Sequence, residues 1–185
     1  MLRVSGGSAK GRKLVVPSVP GIRITQEVAR EALFAILGEE IKNAACLDLY
    51  AGSGSVGIEA LSRGASWCDF VDNNEESYKS VHESLKYCGL EIFAHFSKDD
   101  ATKYCANCTR KYKYVFMDPY YDQAIHKHIF KLIPNLLEKD GILAFFHSKD
   151  LNAKELTSTS ILEVYDERSY GATVISFLKV RKSII

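Results

Sequence analysis

The chain has 185 residues, 46% of them hydrophobic and 25% charged, which suits one well-cored α/β domain with a small appendage. Its formal net charge of +1 names no partner, and no apolar run reaches the length of a membrane span. The start MLRVSGGSAK lacks a signal peptide's apolar stretch and the five cysteines are scattered and odd in number, so a cytoplasmic protein with reduced thiols is expected.

Charge is unevenly placed along the chain. The first thirty residues hold Arg3, Lys10, Arg12, Lys13, Arg23 and Arg30 against Glu27 alone, and the remainder is slightly acidic. A basic arm on a near-neutral body suits an enzyme that grips phosphate through one edge. On charge alone, a solvated basic terminus reads equally well.

Residues 2–5 and 13–16 read as two short strands around the turn-rich GGSAKG, so the chain is expected to open as a β-hairpin. Pro17 and Pro20 end it, residues 21–25 act as a linker, and the division falls into an arm over 1–22 and a main domain over 23–185. Thr25 can N-cap a helix whose apolar face is Val28, Ala32, Leu33, Ile36 and Leu37, closed by Gly38. Strands then alternate with helices: strands over 45–50, 66–71, 92–96, 114–117 and 141–147, helices over 55–63, 74–88, 99–107 and 122–137. That alternation predicts an α/β fold, a mostly parallel sheet covered on both faces. Residues 161–169 and 173–180 face each other across Tyr170, Gly171 and Ala172, which predicts an antiparallel hairpin on the sheet edge.

The run Cys46-Leu47-Asp48-Leu49-Tyr50-Ala51-Gly52-Ser53-Gly54-Ser55-Val56-Gly57 takes a buried strand through a glycine turn into a helix. Gly52 and Gly54 permit the tight turn, and Gly57 lets the helix pack close to the strand. A dinucleotide enzyme carries the same glycines, but there the helix N-terminus must be free for a pyrophosphate that Asp48 would repel. A ligand with an ammonium group and no phosphate, such as S-adenosylmethionine, would welcome that carboxylate. Asp72 ends the next strand twenty residues beyond Gly52, where an acid can accept from both ribose hydroxyls. Lys98-Asp99-Asp100-Ala101 follows the third strand, where a carboxylate can meet the adenine amine.

After the fourth strand comes Asp118-Pro119-Tyr120-Tyr121. An exocyclic amine of a nucleobase is a poor nucleophile because its lone pair is delocalised into the ring. Two acceptors aimed at its hydrogens, the Asp118 carboxylate and a carbonyl such as that of Pro119, can turn the lone pair toward a sulfonium methyl. The work is positioning and electrostatics. Tyr121 can stack on the extruded base.

Asp118-Pro119-x-Tyr121 resembles the [Asn/Asp]-Pro-Pro-[Tyr/Phe] motif of amino methyltransferases. The opening Arg3-Val4-x-Gly6-Gly7-x-x-Lys10-Gly11-Arg12-x-Leu14 resembles the start of the bacterial 16S ribosomal RNA guanine-N2 methyltransferases of the RsmD type. So do Arg23-x-Thr25, Arg30-Glu31-Ala32-Leu33-Phe34-x-Ile36-Leu37, the glycine-loop segment, Gly57-x-Glu59-Ala60-Leu61-Ser62-Arg63-Gly64-Ala65 and the closing Tyr170-Gly171. The resemblance covers nearly the whole chain. It implies a Rossmann-like class I S-adenosylmethionine methyltransferase that methylates N2 of a guanine in 16S ribosomal RNA or the small ribosomal subunit. Asp48, the loop residues Ala51, Gly52, Ser53 and Gly54, then Asp72 with Asn73 and Asp100 with Ala101, would hold the cofactor. Asp118, Pro119 and Tyr121 would hold the target base, and Arg3, Lys10, Arg12, Lys13 and Arg23 the RNA.

The chain departs from the family pattern twice. Ile24 stands where the family has proline, and Tyr120 replaces the second proline of the tetrapeptide, which removes a stiffener from the loop bearing the acceptors. The tetrapeptide also serves adenine-N6 methylation in DNA or RNA and methylation of a protein amide, and a non-catalytic RNA-binding relative would keep the same fold. Cys105-x-x-Cys108 lacks a second half for zinc. His126 and His128 cannot share a helical face. No metal, membrane or obligate protein partner is therefore expected, and Arg63 is read as serving its helix C-terminus.

Overall fold

The computed structural model describes residues 2–18, 27–119 and 127–182; the expectations on Arg23, Ile24, Thr25, Tyr120, Tyr121 and His126 lie outside the described residues. Apolar runs supply five parallel strands, β1 (Ala45–Leu49), β2 (Trp67–Asp72), β3 (Ala94–Lys98), β4 (Tyr112–Met117) and β5 (Leu137–Ser148). Two antiparallel strands, β6 (Leu162–Tyr170) and β7 (Thr173–Val180), complete a sheet of order β3-β2-β1-β4-β5-β7-β6. The order reverses at β1, where an open α/β sheet forms its ligand crevice. Leu49 pairs with Val71 on one side and Met117 on the other, so Asp72 and Asp118 follow level with the turn that leaves β1.

Among the described residues six helices cover the sheet: α1 (Glu27–Leu37), α2 (Ser55–Ser62), α3 (Glu75–Cys88), α4 (Ala101–Asn107), α5 (Ile129–Leu132) and α6 (Ala153–Leu156). Side chains alternate across each strand, so one face buries Cys46, Phe70 and Phe116 against α1, α2, α3 and the arm. The other face buries Leu47, Val71 and Val115 against α4, α5 and α6.

Several boundaries differ from the sequence reading, each for a physical reason. The opening segment is not a two-stranded ladder but one antiparallel bridge, Arg3 to Lys13, flanked by bonds from Val4 N to Arg12 O and from Leu14 N to Leu2 O, both 3.0 Å. The third strand starts at Ala94, not residue 92, because Glu91–Phe93 is a 3-10 turn closed by Phe93 N donating to Leu90 O. The helix expected to reach residue 137 stops earlier: α5 gives way to the 3-10 turn Ile133–Asn135, where Pro134 has no N–H to continue the ladder. β5 therefore begins at Leu137 and absorbs a register shift opposite Tyr112 and Tyr114, with Asp140 at φ 60°.

The largest difference is the buried face of α1. Val28 and Ile36, expected inside, are 64% and 44% exposed, whereas Ala29, Arg30, Leu33, Phe34 and Leu37 are buried. The helix turns this way because Glu59 of α2, itself fully buried, meets Arg30 Nε at 3.5 Å. Arg30 also donates to Arg3 O at 2.7 Å. Glu59 then receives Arg63 Nε, Ser5 N and Ser5 Oγ, each at 2.8 Å. Arg63 reaches Ser5 Oγ at 3.2 Å, so its guanidinium fastens the arm and does not serve the helix end alone.

The turn of the arm rests on the same end of α2. Ser8 N donates to Ser62 O at 2.7 Å and Ala9 N to Ser62 Oγ at 2.9 Å. A side chain on Gly7 would overlap the Ser62 carbonyl, so that approach requires glycine. Leu2, Val4, Ala9 and Leu14 join the core of the first face. No helix of the described residues is long and apolar enough to cross a membrane.

Replacing Glu59 with Gln keeps its shape but strands a buried guanidinium. Breaking a buried pair this way costs about 3–5 kcal/mol, so urea unfolding of Glu59→Gln should show a loss of that order. Lys79→Ala, which removes an exposed pair with Glu76, should stay within about 0.5 kcal/mol of wild type.

Candidate active site

The turn after β1 is built from left-handed backbone. Tyr50, Gly52 and Gly54 have φ of 59°, 53° and 68°, and Gly54 N closes the turn on Ala51 O at 2.6 Å. Added side chains would press on Val81 at Gly54 and overlap the Phe70 ring at Gly57, so the expected close packing of α2 on β2 is present. All eight residues of α2 are buried.

Gly54 occupies the N-cap of α2 and has no side chain to satisfy the helix's first N–H groups. Asp48 satisfies one of them from the strand, its Oδ2 accepting from Gly57 N at 2.9 Å. That role is not visible in the motif. Asp48 is buried, and the buried site, with Asp118 and Asp72 nearby, pushes its carboxyl well above the ordinary carboxylate range despite the Gly57 bond.

Asp72, at the end of β2, is half-buried and ties the two turns together. Its Oδ2 accepts from Gly52 N at 2.8 Å and its Oδ1 from Asn74 N at 2.9 Å. Each oxygen keeps a lone pair for a further donor. Asn73 is exposed in the same turn, and Asn74 caps α3 by accepting from Glu76 N and Ser77 N. Asp100, expected at the adenine, is exposed and N-caps α4 through Oδ1, which accepts from Lys103 N at 2.9 Å, while Ala101 is buried.

Asp118 is half-buried and Pro119 buried directly after β4. Asp48, Asp72 and Asp118 thus come from three neighbouring strand ends around one glycine turn. Three carboxylates gathered there suit a cationic ligand and oppose an anionic one. The first turn of α2, where a dinucleotide's pyrophosphate would bind, already has a carboxylate on its Gly57 N–H.

The basic arm residues are placed differently from one another. Arg3 is exposed and donates to Gly11 O at 2.6 Å, while Lys10 and Lys13 are exposed and make no ion pair among the described residues. Arg12 donates to the Tyr87 carbonyl and lies over its ring. Arg30 is buried and offers nothing to phosphate. Cys105 is buried, and Cys108 Sγ lies 3.5 Å from Tyr112 Oη, in a network where Tyr112 donates to Asp69 at 2.8 Å.

The Glu59 cluster is not legible as a site in the sequence, since only its partners 29 and 54 positions away in the chain reveal it.

A family model described as "Conserved hypothetical protein 95" matches residues 2–179. A Bacillus subtilis (strain 168) protein named "Putative rRNA methyltransferase YlbH" is 31% identical over 97% of this chain and 100% of its own. "Ribosomal RNA small subunit methyltransferase D" of Escherichia coli (strain K12) is 34% identical over 77% of this chain and 70% of its own. The solved structure "Putative methyltransferase yhhF from Escherichia coli" superposes with a TM-score of 0.80 at 25% identity, covering 97% of each chain. On these matches, and on the glycine turn and strand-end carboxylates that they accompany, the chain belongs to the ribosomal RNA small subunit methyltransferase D (RsmD) family.

Proposed function

We propose that the chain transfers a methyl group from S-adenosylmethionine to N2 of a guanine in 16S ribosomal RNA. Ribosomal RNA methylation with this donor is supported by membership of the family; the acceptor atom rests on the resemblance and on the chemistry of Asp118-Pro119. The observation that carries the reading is the convergence of Asp48, Asp72 and Asp118 on one glycine turn. The donor set fits the cofactor: carboxylates for its ammonium group and ribose hydroxyls, and a turn of bare backbone beside them.

When bound, S-adenosylmethionine supplies an electrophilic methyl group on a positively charged sulfur. Asp72 keeps a lone pair on each oxygen for the ribose hydroxyls, and Asp48 offers charge to the ammonium group. Asp100 has its second oxygen left for the adenine amine, with its cap bond made through Oδ1. Asp118 and the Pro119 carbonyl accept from the two amine hydrogens of the base and turn its lone pair toward the methyl group. Tyr121 is the stacking residue of this reading, and the arm holds the RNA through Lys10, Lys13 and Arg12.

Asp48 gives the cofactor site a pH dependence whose sign follows from its raised carboxyl. A carboxyl raised in the folded state holds its proton at pH values where an ordinary one has ionised, and a bound cation favours the ionised form. Cofactor affinity should therefore rise with pH through that range, by up to about tenfold per pH unit. Binding should release a proton there, seen by calorimetry as heats that differ between buffers of different ionisation enthalpy. Asp48→Asn should lose both the slope and the proton release; a wild type with flat affinity would show that Asp48 does not face the cation.

Asp118→Ala should bind the cofactor and fold as wild type does, yet lose on the order of a hundredfold or more in single-turnover methyl transfer to small-subunit RNA. A loss below about threefold, well short of that figure, would place the amine acceptor elsewhere. For the arm, Lys10 and Lys13 replaced by Ser should flatten the slope of log RNA affinity against log salt by about 0.7–0.9 for each phosphate no longer neutralised. An unchanged slope would make the arm a solvated terminus.

A further inference from the structure

We propose that Tyr87, held by Arg12, is a stacking platform for an unpaired base of the substrate RNA outside the target nucleotide. This rests on the RNA reading above and adds an interaction that neither the active-site motif nor the arm's charge supplies. Tyr87 lies in the last turn of α3 and is 59% exposed, so its ring face is open to solvent. Arg12 donates to its carbonyl and sets its guanidinium 5.6 Å from the ring centroid, within cation–π range. The arm behind it is anchored to α3 by Val15 N donating to Ser84 Oγ at 2.9 Å. Arg12 thus backs the ring from an arm fixed to the same helix, in the way an arginine supports a stacked aromatic.

The surroundings fit a polyanion. Lys10, Lys13 and Lys86 are exposed and make no ion pair among the described residues. The acids at the start of α3 are engaged, Glu75 by Lys98 at 2.7 Å and Glu76 by Lys79 at 2.9 Å. Glu83, one turn before Tyr87, and Glu91, just beyond the end of α3, are exposed acids of the same stretch. An exposed aromatic ring among lysines and an arginine is the pattern by which proteins bind single strands: charge follows the backbone and rings take bases. α3 starts just after Asp72, and its 14 residues run for roughly 21 Å. A base on Tyr87 is therefore not the base at Asp118, and the platform acts on substrate affinity and placement, not on the methyl transfer itself.

The test uses a single-stranded oligoribonucleotide of mixed sequence containing 2-aminopurine, a duplex of the same length, and isolated small-subunit ribosomal RNA. Tyr87→Leu should weaken single-strand and ribosomal RNA binding by about fivefold or more at every salt concentration, since stacking carries no counterion term. The salt slope and the cofactor affinity should not move. Tyr87→Phe should restore binding, Tyr87→Trp should equal or exceed wild type, and 2-aminopurine fluorescence should be quenched by wild type and not by Tyr87→Leu. If Tyr87→Leu keeps wild-type RNA affinity, or loses it only with a flattened slope because Arg12 has been released, the platform is overturned while the RNA reading stands. The platform falls in the same way if the duplex binds as well as the single strand, or if an acidic protein surface is the real partner and oligonucleotide affinity ignores the ring. If wild type binds none of the three RNAs, the RNA reading fails and takes the platform with it.

Discussion

One buried carboxylate dictates how the N-terminal third of the molecule assembles. Glu59 sits in the middle of a fully buried helix, where an isolated charge would cost many kcal/mol. It is tolerated because Arg30, Arg63 and Ser5 surround it, and those partners come from α1, from the end of α2 and from the arm. Each of the three segments brings a polar partner to the same carboxylate. α1 must bring a guanidinium inward and leave Val28 and Ile36 in solvent, and the arm must lie across the end of α2 instead of extending freely.

The same helix begins at the glycine turn. Its first turn is held by Asp48 through Gly57 N and its last is joined to the arm through Ser62, so a segment of eight residues links the place where the cofactor is proposed to bind to the place where RNA is. Asp72 extends the arrangement sideways, holding Gly52 on one oxygen and the entry to α3 on the other. Preorganisation of this kind spares the site from ordering its backbone when a ligand arrives. Two of the three left-handed residues of the cofactor turn are tied down in this way, Gly52 by Asp72 of β2 and Gly54 by Ile58 N of α2.

Legibility in the sequence follows the range of the interaction. The glycine turn, the strand-end acids and the alternation of elements are local patterns, and the parallel sheet with its antiparallel edge pair is readable from them. At α1 periodicity misleads, because it favours Val28 and Ile36, while the partner that draws Arg30 inward lies 29 positions on. Leu137 reads as helical because apolar residues on both sides of Pro134 keep a helical spacing; the missing N–H of the proline decides otherwise. Asp48's bond to Gly57 is hidden for a third reason. The motif shows an acid before the glycines, but only the crossing of strand and helix shows that the acid also caps α2.

The distribution of charge then has a spatial logic that a net value of +1 conceals. α2 is roughly 12 Å long, with carboxylates gathered at its beginning and the arm docked at its end. Phosphates held at the arm would thus lie a helix length from Asp48, Asp72 and Asp118 and out of direct contact with them. Were the lysines and these acids side by side, they would neutralise one another as ion pairs and neither ligand would find its charge. Separation by one helix lets a cationic cofactor and an anionic polymer be held by the same small domain without their protein partners neutralising one another.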